Sequence, residues 1–173
     1  MNVIFHIATG LSTAILLTDT NEINKNSDYR KILPIALFSF VIGIISHGAL
    51  DYIPHCYPIN SKLDILLGLL SILLLLLISK GRYKLIILGS LIGCVFPDIV
   101  DLLPSMLNKT LHLELPEFEK LFPWHWKQYS GSIYSGACNV SFINHSLVAL
   151  TVLIILWARR KDLLTLVGRY EKL

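Results

Sequence analysis

Charge is scarce in this chain. Only 16% of its 173 residues are Asp, Glu, Lys or Arg, and 54% are apolar, whereas a soluble domain carries about 25% charged residues. A soluble globular fold is therefore a poor expectation, and a mean hydropathy of +0.62 points to a set of membrane spans instead. The formal net charge is +3, and no basic stripe exists that could neutralise a row of phosphates, which argues against a nucleic-acid partner. Several catalytic signatures are missing as well. The sequence has no HExxH helix and no phosphate-cradling glycine loop, nor a GxSxG nucleophile elbow.

Cysteine is also sparse. Cys56, Cys94 and Cys138 form no CxxC pair and none of the spacings of a thiolate zinc site. Cys56 and Cys138 fall in segments expected on one side of the membrane and can pair if that side is oxidising. The reading preferred from spacing is separate buried thiols. No Lys or Arg precedes the apolar N-terminal stretch, and His6 interrupts it, which argues against a cleaved signal peptide.

What is abundant is apolar sequence in blocks. Five stretches, 1–17, 32–53, 63–79, 85–103 and 141–158, are separated by polar segments. Each reads as a helix, giving an all-α polytopic membrane bundle in a single domain, 1–173. At about 1.5 Å per residue the shortest stretches reach only about 25 Å, against a hydrocarbon core of about 30 Å. Stretch 1–17 is thus the least secure span. The segment 104–140 is too polar to cross and too long for a plain connection, so it reads as an extracytoplasmic loop or lid with a short helix of its own. Its LFPWHWKQY run, residues 121–129, reads as an interfacial anchor, because indole rings favour the headgroup level. His112 and His125 are accordingly expected at the interface, and Glu114, Glu117 and Glu119 on a solvated face.

Cytoplasmic segments accumulate Lys and Arg. Five spans place the clusters Lys25–Lys31, Lys80–Lys84 and Arg159–Lys172 on one side, leaving Lys62, Lys109, Lys120 and Lys127 on the other. This predicts an N-terminus outside and a C-terminus in the cytoplasm.

Ionisable residues in or beside spans are functional candidates because hydrocarbon makes them costly. With alternating span direction, His6, His47, Asp51, Asp98, Asp101 and His145 all converge on the outer leaflet. In SHGALDYIPH, residues 46–55, the four-residue spacing puts His47 and Asp51 on one helix face. Pro54 then sets His55 just past the helix end. Imidazoles and a carboxylate at a helix terminus suit zinc, and a simple His–Asp hydrogen bond is the equally weighted alternative. In GCVFPDIVDLLP, residues 93–104, Pro97 should kink or end the helix and present Asp98 at the break, with Asp101 one turn on. His145 and His6 are lone imidazoles whose interest lies in sharing that membrane depth. Ser61 and Asp64 have capping-box spacing, so Asp64 is expected to serve its own helix start. Gly89 and Gly93 permit close helix approach.

The blocks FHIATGLSTAI, GCVFPDIVD and INHSLVAL resemble, in that order, three blocks of the bacterial inner-membrane metal-dependent hydrolases. That resemblance implies a metal-site role for His6, Asp98 and His145. SHGALDYIPH is similar to an element of the zinc-dependent phospholipase C and nuclease superfamily, which implies ligand roles for His47, Asp51 and His55. Together these readings lead to the expectation of a membrane metallohydrolase holding one or two divalent ions, zinc foremost, with Asp101 as catalytic base or as an orienting group. Membrane lipids are its expected partners and a phosphoester-containing or lipid-linked molecule its expected substrate. The alternative is a non-catalytic membrane protein whose His–Asp pairs form separate hydrogen-bonded couples for stability, ion passage or partner binding. Bis-His haem binding is disfavoured by the neighbouring carboxylates.

Overall fold

The computed structural model describes residues 1–24, 26–134 and 138–168, and every regular element among them is helical. The helices are α1 (Val3–Leu17), α2 (Tyr29–Tyr52), α3 (Ser61–Ile78), α4 (Tyr83–Asp101), α5 (Leu103–Leu111), α6 (Asn139–Ala158) and α7 (Arg160–Leu166), with a 3-10 turn at Pro123–His125. Four of them, α2, α3, α4 and α6, are long and apolar enough to cross a membrane. α1 is apolar but has only 15 residues, a rise of about 22 Å.

The buried centre is a three-helix core of α1, α2 and α4. Ile7, Ala14, Ile15, Ile32, Ala36, Ile86, Ile87 and Leu91 fill it. α3 and α6 pack against the outside of that core and bury few of their residues fully, as hydrocarbon solvent allows. Where the packing is tightest the sequence supplies glycine. A Cβ on Gly89 would stand 2.4 Å from the Ala36 carbonyl oxygen, and one on Gly93 2.2 Å from that of Phe40. The missing side chains let α4 press directly on the α2 backbone, as small residues do between membrane helices. Ser90 Oγ donates to the Gly10 carbonyl at 2.7 Å, so α1 joins the same seam.

Three local expectations are corrected. Asp64 does not cap its own helix: Asn60 accepts from Lys62 N at 3.0 Å there. The buried Asp64 instead reaches the start of α1, accepting from Val3 N at 2.7 Å, Ile4 N at 3.3 Å and Asn2 Nδ2 at 3.0 Å. A carboxylate at a helix N-terminus satisfies otherwise orphaned donors and the helix dipole together. Pro97 does not end its helix. α4 runs through it to Asp101 with Pro97 fully buried, because packed neighbours hold a proline turn in place in a membrane helix. Cys56 and Cys138 are not separate thiols but a disulfide, which leaves Cys94 free and buried.

The connection between α4 and α6 carries α5, as its length requires, and then folds back over the bundle. Asn108 bonds both to Leu115 and to Glu117, and Glu114, Glu117 and Glu119 are exposed. The returning strap is fixed to the end of α2: Gly131 N donates to the Asp51 carbonyl at 2.8 Å, His55 N to that of Gly131 at 2.8 Å, and Ile133 N to that of His55 at 2.7 Å. Only glycine fits at 131, where a Cβ would lie 2.2 Å from the Ile53 carbonyl oxygen. The Cys56–Cys138 bond closes this cap.

Candidate metal centre

The C-terminal ends of α2 and α4 stand side by side under the strap. α2 contributes His47 and Asp51 from one face, one turn apart, and α4 contributes Asp98. His125 comes from the 3-10 turn. One donor atom from each of these four residues lies within 4.8 Å of every other. His47, Asp51 and His125 are buried, and the Asp98 side chain keeps 24% of its surface, giving the group one open side.

The hydrogen bonds fix how the imidazoles face. His47 Nδ1 lies 2.7 Å from the Cys94 carbonyl oxygen, which can only accept, so this nitrogen carries the hydrogen. His125 Nδ1 likewise donates to Asp101 Oδ2 at 2.8 Å. In the neutral rings both Nε2 atoms are therefore bare acceptors, and they stand 3.2 Å apart. His47 Nε2 is 3.2 Å from Asp51 Oδ2 and 3.6 Å from Asp98 Oδ1. His125 Nε2 is 3.4 Å and 3.3 Å from the same two oxygens. With both rings neutral, four lone-pair groups point at one space with no donor among them. Such a set requires a cation, either a proton on a ring or a metal ion in the middle. Although burial opposes charge on His125, hydrogen bonds to Asp51, Asp98 and Asp101 outweigh it and raise its pKa to about 9. The group can hold a metal ion: two imidazole nitrogens and two carboxylate oxygens form a donor set that fits a borderline divalent cation.

His6 stands beside this group. Its ring stacks on His47 with centroids 4.1 Å apart, and its Nε2 lies 3.1 Å from Asp51 Oδ1, the oxygen turned away from the four-residue space. The Met1 amine reaches the same oxygen. His6 is fully buried, and neither ring nitrogen has an aligned hydrogen-bond partner among the described residues.

The remaining candidates are placed elsewhere. Asp101 stands behind His125, accepting from Leu121 N and Phe122 N at 2.9 Å each as well as from the imidazole. Its side chain is almost wholly buried, so it orients His125 and does not open onto the shared space. His55 lies under the strap, donating from Nδ1 to the Ile53 carbonyl at 2.7 Å, with Nε2 3.1 Å from the Tyr57 hydroxyl. His145 is on α6, against Phe5 of α1. Its ring stacks on Phe5 at 4.6 Å and its Nδ1 is 3.2 Å from Ser141 Oγ. Neither His55 nor His145 joins the four-residue group.

His125, expected at the interface, is the residue that completes the group. The sequence signal was present in the Trp124-His125-Trp126 run, but its aromatic flanks carry an anchor reading equally well. Fold and site together define an all-helical membrane protein with a buried His/Asp centre able to take a metal ion. Comparison with protein-family models, with curated proteins and with solved structures finds no match.

Proposed function

We propose that this protein is a membrane-bound metal-dependent hydrolase acting at the extracytoplasmic interface on a phosphoester-containing or lipid-linked substrate, with zinc as its metal. The observation that carries the reading is the convergence of two imidazole nitrogens and two carboxylate oxygens within 4.8 Å, on residues drawn from three separate segments. Separate His–Asp couples, the mark of a purely structural polar network, are not the arrangement found. His47, Asp51, Asp98 and His125 would hold the ion, while the other Asp51 oxygen is taken up by His6 and the Met1 amine. A bound divalent cation supplies Lewis-acid polarisation of a phosphoryl oxygen and an acidified water. Asp98, the most open carboxylate of the group, faces the approaching substrate, while Asp101 and the Cys94 carbonyl hold the two imidazoles in the ligating tautomer.

An extracytoplasmic site is supported by two independent features. The basic residues gather at the opposite end of the spans, and the Cys56–Cys138 disulfide closes the cap beside the site, as an oxidising compartment permits. The similarity of GCVFPDIVD to a block of the membrane metal-dependent hydrolases, and of SHGALDYIPH to an element of the zinc-dependent phospholipase C and nuclease superfamily, supports the metal-dependent hydrolase reading.

The test is metal analysis of the purified protein beside a His47→Ala, Asp51→Ala double variant, with hydrolysis of a chromogenic phosphodiester as second readout. Wild type is expected to carry metal and cleave the ester, and the variant to do neither. Equal, negligible metal in both would overturn the reading.

A further inference from the structure

A second cluster of proton-carrying side chains lies on the strap, apart from the metal group. His55, which takes no part in that group, stands opposite Ser132 where the strap is fixed beyond the end of α2. The backbone holds the two in register, because His55 N donates to the Gly131 carbonyl and Ile133 N to that of His55. The ring is oriented as well. His55 Nδ1 donates to the Ile53 carbonyl at 2.7 Å, and an oxygen that can only accept fixes the hydrogen on that nitrogen. Nε2 is left as a bare acceptor. Burial lowers the pKa of His55 to about 4, so near neutral pH the ring is uncharged and able to take a proton.

Two hydroxyls face this nitrogen. Tyr57 Oη lies 3.1 Å from it and Ser132 Oγ 3.4 Å, and the two oxygens are 2.8 Å apart. Ser130 Oγ donates to Ser132 Oγ at 2.9 Å, which leaves the hydrogen of Ser132 for Nε2, directly or through Tyr57. In the absence of substrate, contacts between a nucleophile and its base are often long, and they tighten when it binds. The cluster is open to the outside. Ser132 is half-buried, Tyr57 is 39% exposed, and the hydrogen bond between them lies at the surface. A hydroxyl, an imidazole acceptor and a third group that sets the tautomer are the parts of an activated serine, here with a backbone carbonyl where a triad has a carboxylate.

We infer that Ser132 is a nucleophile activated by His55 and that it takes the acyl group of a carboxylic ester. Ser132 Oγ bonds to the carbonyl carbon while its proton passes to His55 Nε2. The bond from that carbon to the alcohol oxygen then breaks, and the alcohol leaves with the proton. Water opens the acyl-serine by the same route: His55 takes a proton from the water and returns it to Ser132 Oγ as the carboxylic acid departs. A neutral carbonyl suits the cluster better than a phosphoester. Among the described residues, the side chains that hydrogen-bond to the pair or stack beside it are Tyr57, Ser130 and, through Tyr57, Tyr134, and none of these is a cation that could meet a phosphate. The inference goes beyond the metal-dependent hydrolase reading and does not rest on it.

The test uses the full chain in detergent, with a strong chelator present, and a fluorophosphonate probe, which loses fluoride when a serine oxygen attacks its phosphorus. Labelled peptides are mapped by mass spectrometry, and turnover is followed with p-nitrophenyl butyrate. The adduct is expected on Ser132, and Ser132→Ala is expected to lose both the adduct and the esterase turnover. His55→Gln, which cannot act as the base, is expected to slow labelling by about 100-fold, the low end of what general-base catalysis contributes. Alkylation shows whether each variant keeps the Cys56–Cys138 bond and hence a closed strap. An unlabelled Ser132 in the wild type would overturn the inference, as would wild-type labelling of Ser132 in disulfide-bonded His55→Gln; either result leaves a serine that only ties the strap together. Because the chelator removes metal, a protein that labels at Ser132 yet binds no zinc upholds the serine and sinks the metal reading. Zinc-loaded protein that cleaves a phosphodiester while Ser132 stays inert does the reverse.

Discussion

Asp101 Oδ2 lies 2.8 Å from His125 Nδ1, and the same carboxylate accepts the backbone N–H groups of Leu121 and Phe122. One buried side chain therefore fixes both the tautomer of an imidazole and the path of the loop that delivers it. Replacing Asp101 by Asn keeps the volume but turns an amide donor toward atoms that also donate. Carboxylate partners of ligating histidines are worth about 10–100-fold in metal affinity. Asp101→Asn is expected to weaken zinc binding within that range, read by competition with a calibrated chelator, while the protein still folds. Unaltered affinity would show that Asp101 serves the loop alone.

The cap can be tested through its thiols. Cys56 and Cys138 are joined across 82 residues and Cys94 is free. Alkylation of the denatured, unreduced protein is expected to modify one cysteine per chain, and all three after reduction. Cys56→Ser should also lower thermal stability in detergent, by about 2–4 kcal/mol for a loop of this length. Three reactive thiols before reduction would remove this support for an oxidising compartment.

The α2–α4 seam predicts intolerance at a position far from the chemistry. A Cβ at residue 93 meets the Phe40 carbonyl at 2.2 Å, and that neighbour is backbone that cannot swing aside. Gly93→Ala is expected to cost about 1–3 kcal/mol by overpacking, measured as a fall in thermal unfolding midpoint. Because the seam ends at His47 and Asp98, a fall in zinc affinity should accompany it. Wild-type stability in this variant would mean that the two helices are not so closely packed.

The strap should respond to acid through His55. Burial is the main cause that lowers its pKa to about 4 from an ordinary value of 6.5. As pH falls the unfolded strap takes up a proton before the folded one does, so the stability it contributes is complete above about pH 6.5 and is lost toward pH 4. Hydrogen exchange at the Gly131, His55 and Ile133 amides, corrected for intrinsic rates, is expected to lose protection across that window, and His55→Gln should flatten the response. Protection that does not change with pH would show that His55 is not what acid acts on.

How much of this was legible beforehand follows from what hydrophobic sequence encodes. Apolar length gives spans, and alternating direction gives the depth of each polar residue, which is why His47, Asp51 and Asp98 were expected together. Depth does not give the rotation of a helix about its axis. His145 is expected at the right depth, but α6 turns it toward Phe5 of α1 and it does not join the four-residue group. A loop has no period at all, so nothing in the spacing of Trp124, His125 and Trp126 says that the segment folds back. Asp64 was misread for a related reason: a capping signal names a helix start, and the nearest start in space belongs to α1, not to its own helix.

His125 is the member of the four that rides on a connection instead of a spanning helix. If the roof lifts to admit a guest, it takes that imidazole along, so a fully open doorway and a complete set of ligands exclude one another. Admission by the side, beneath a roof that stays shut, is the way to keep the centre intact while a molecule enters.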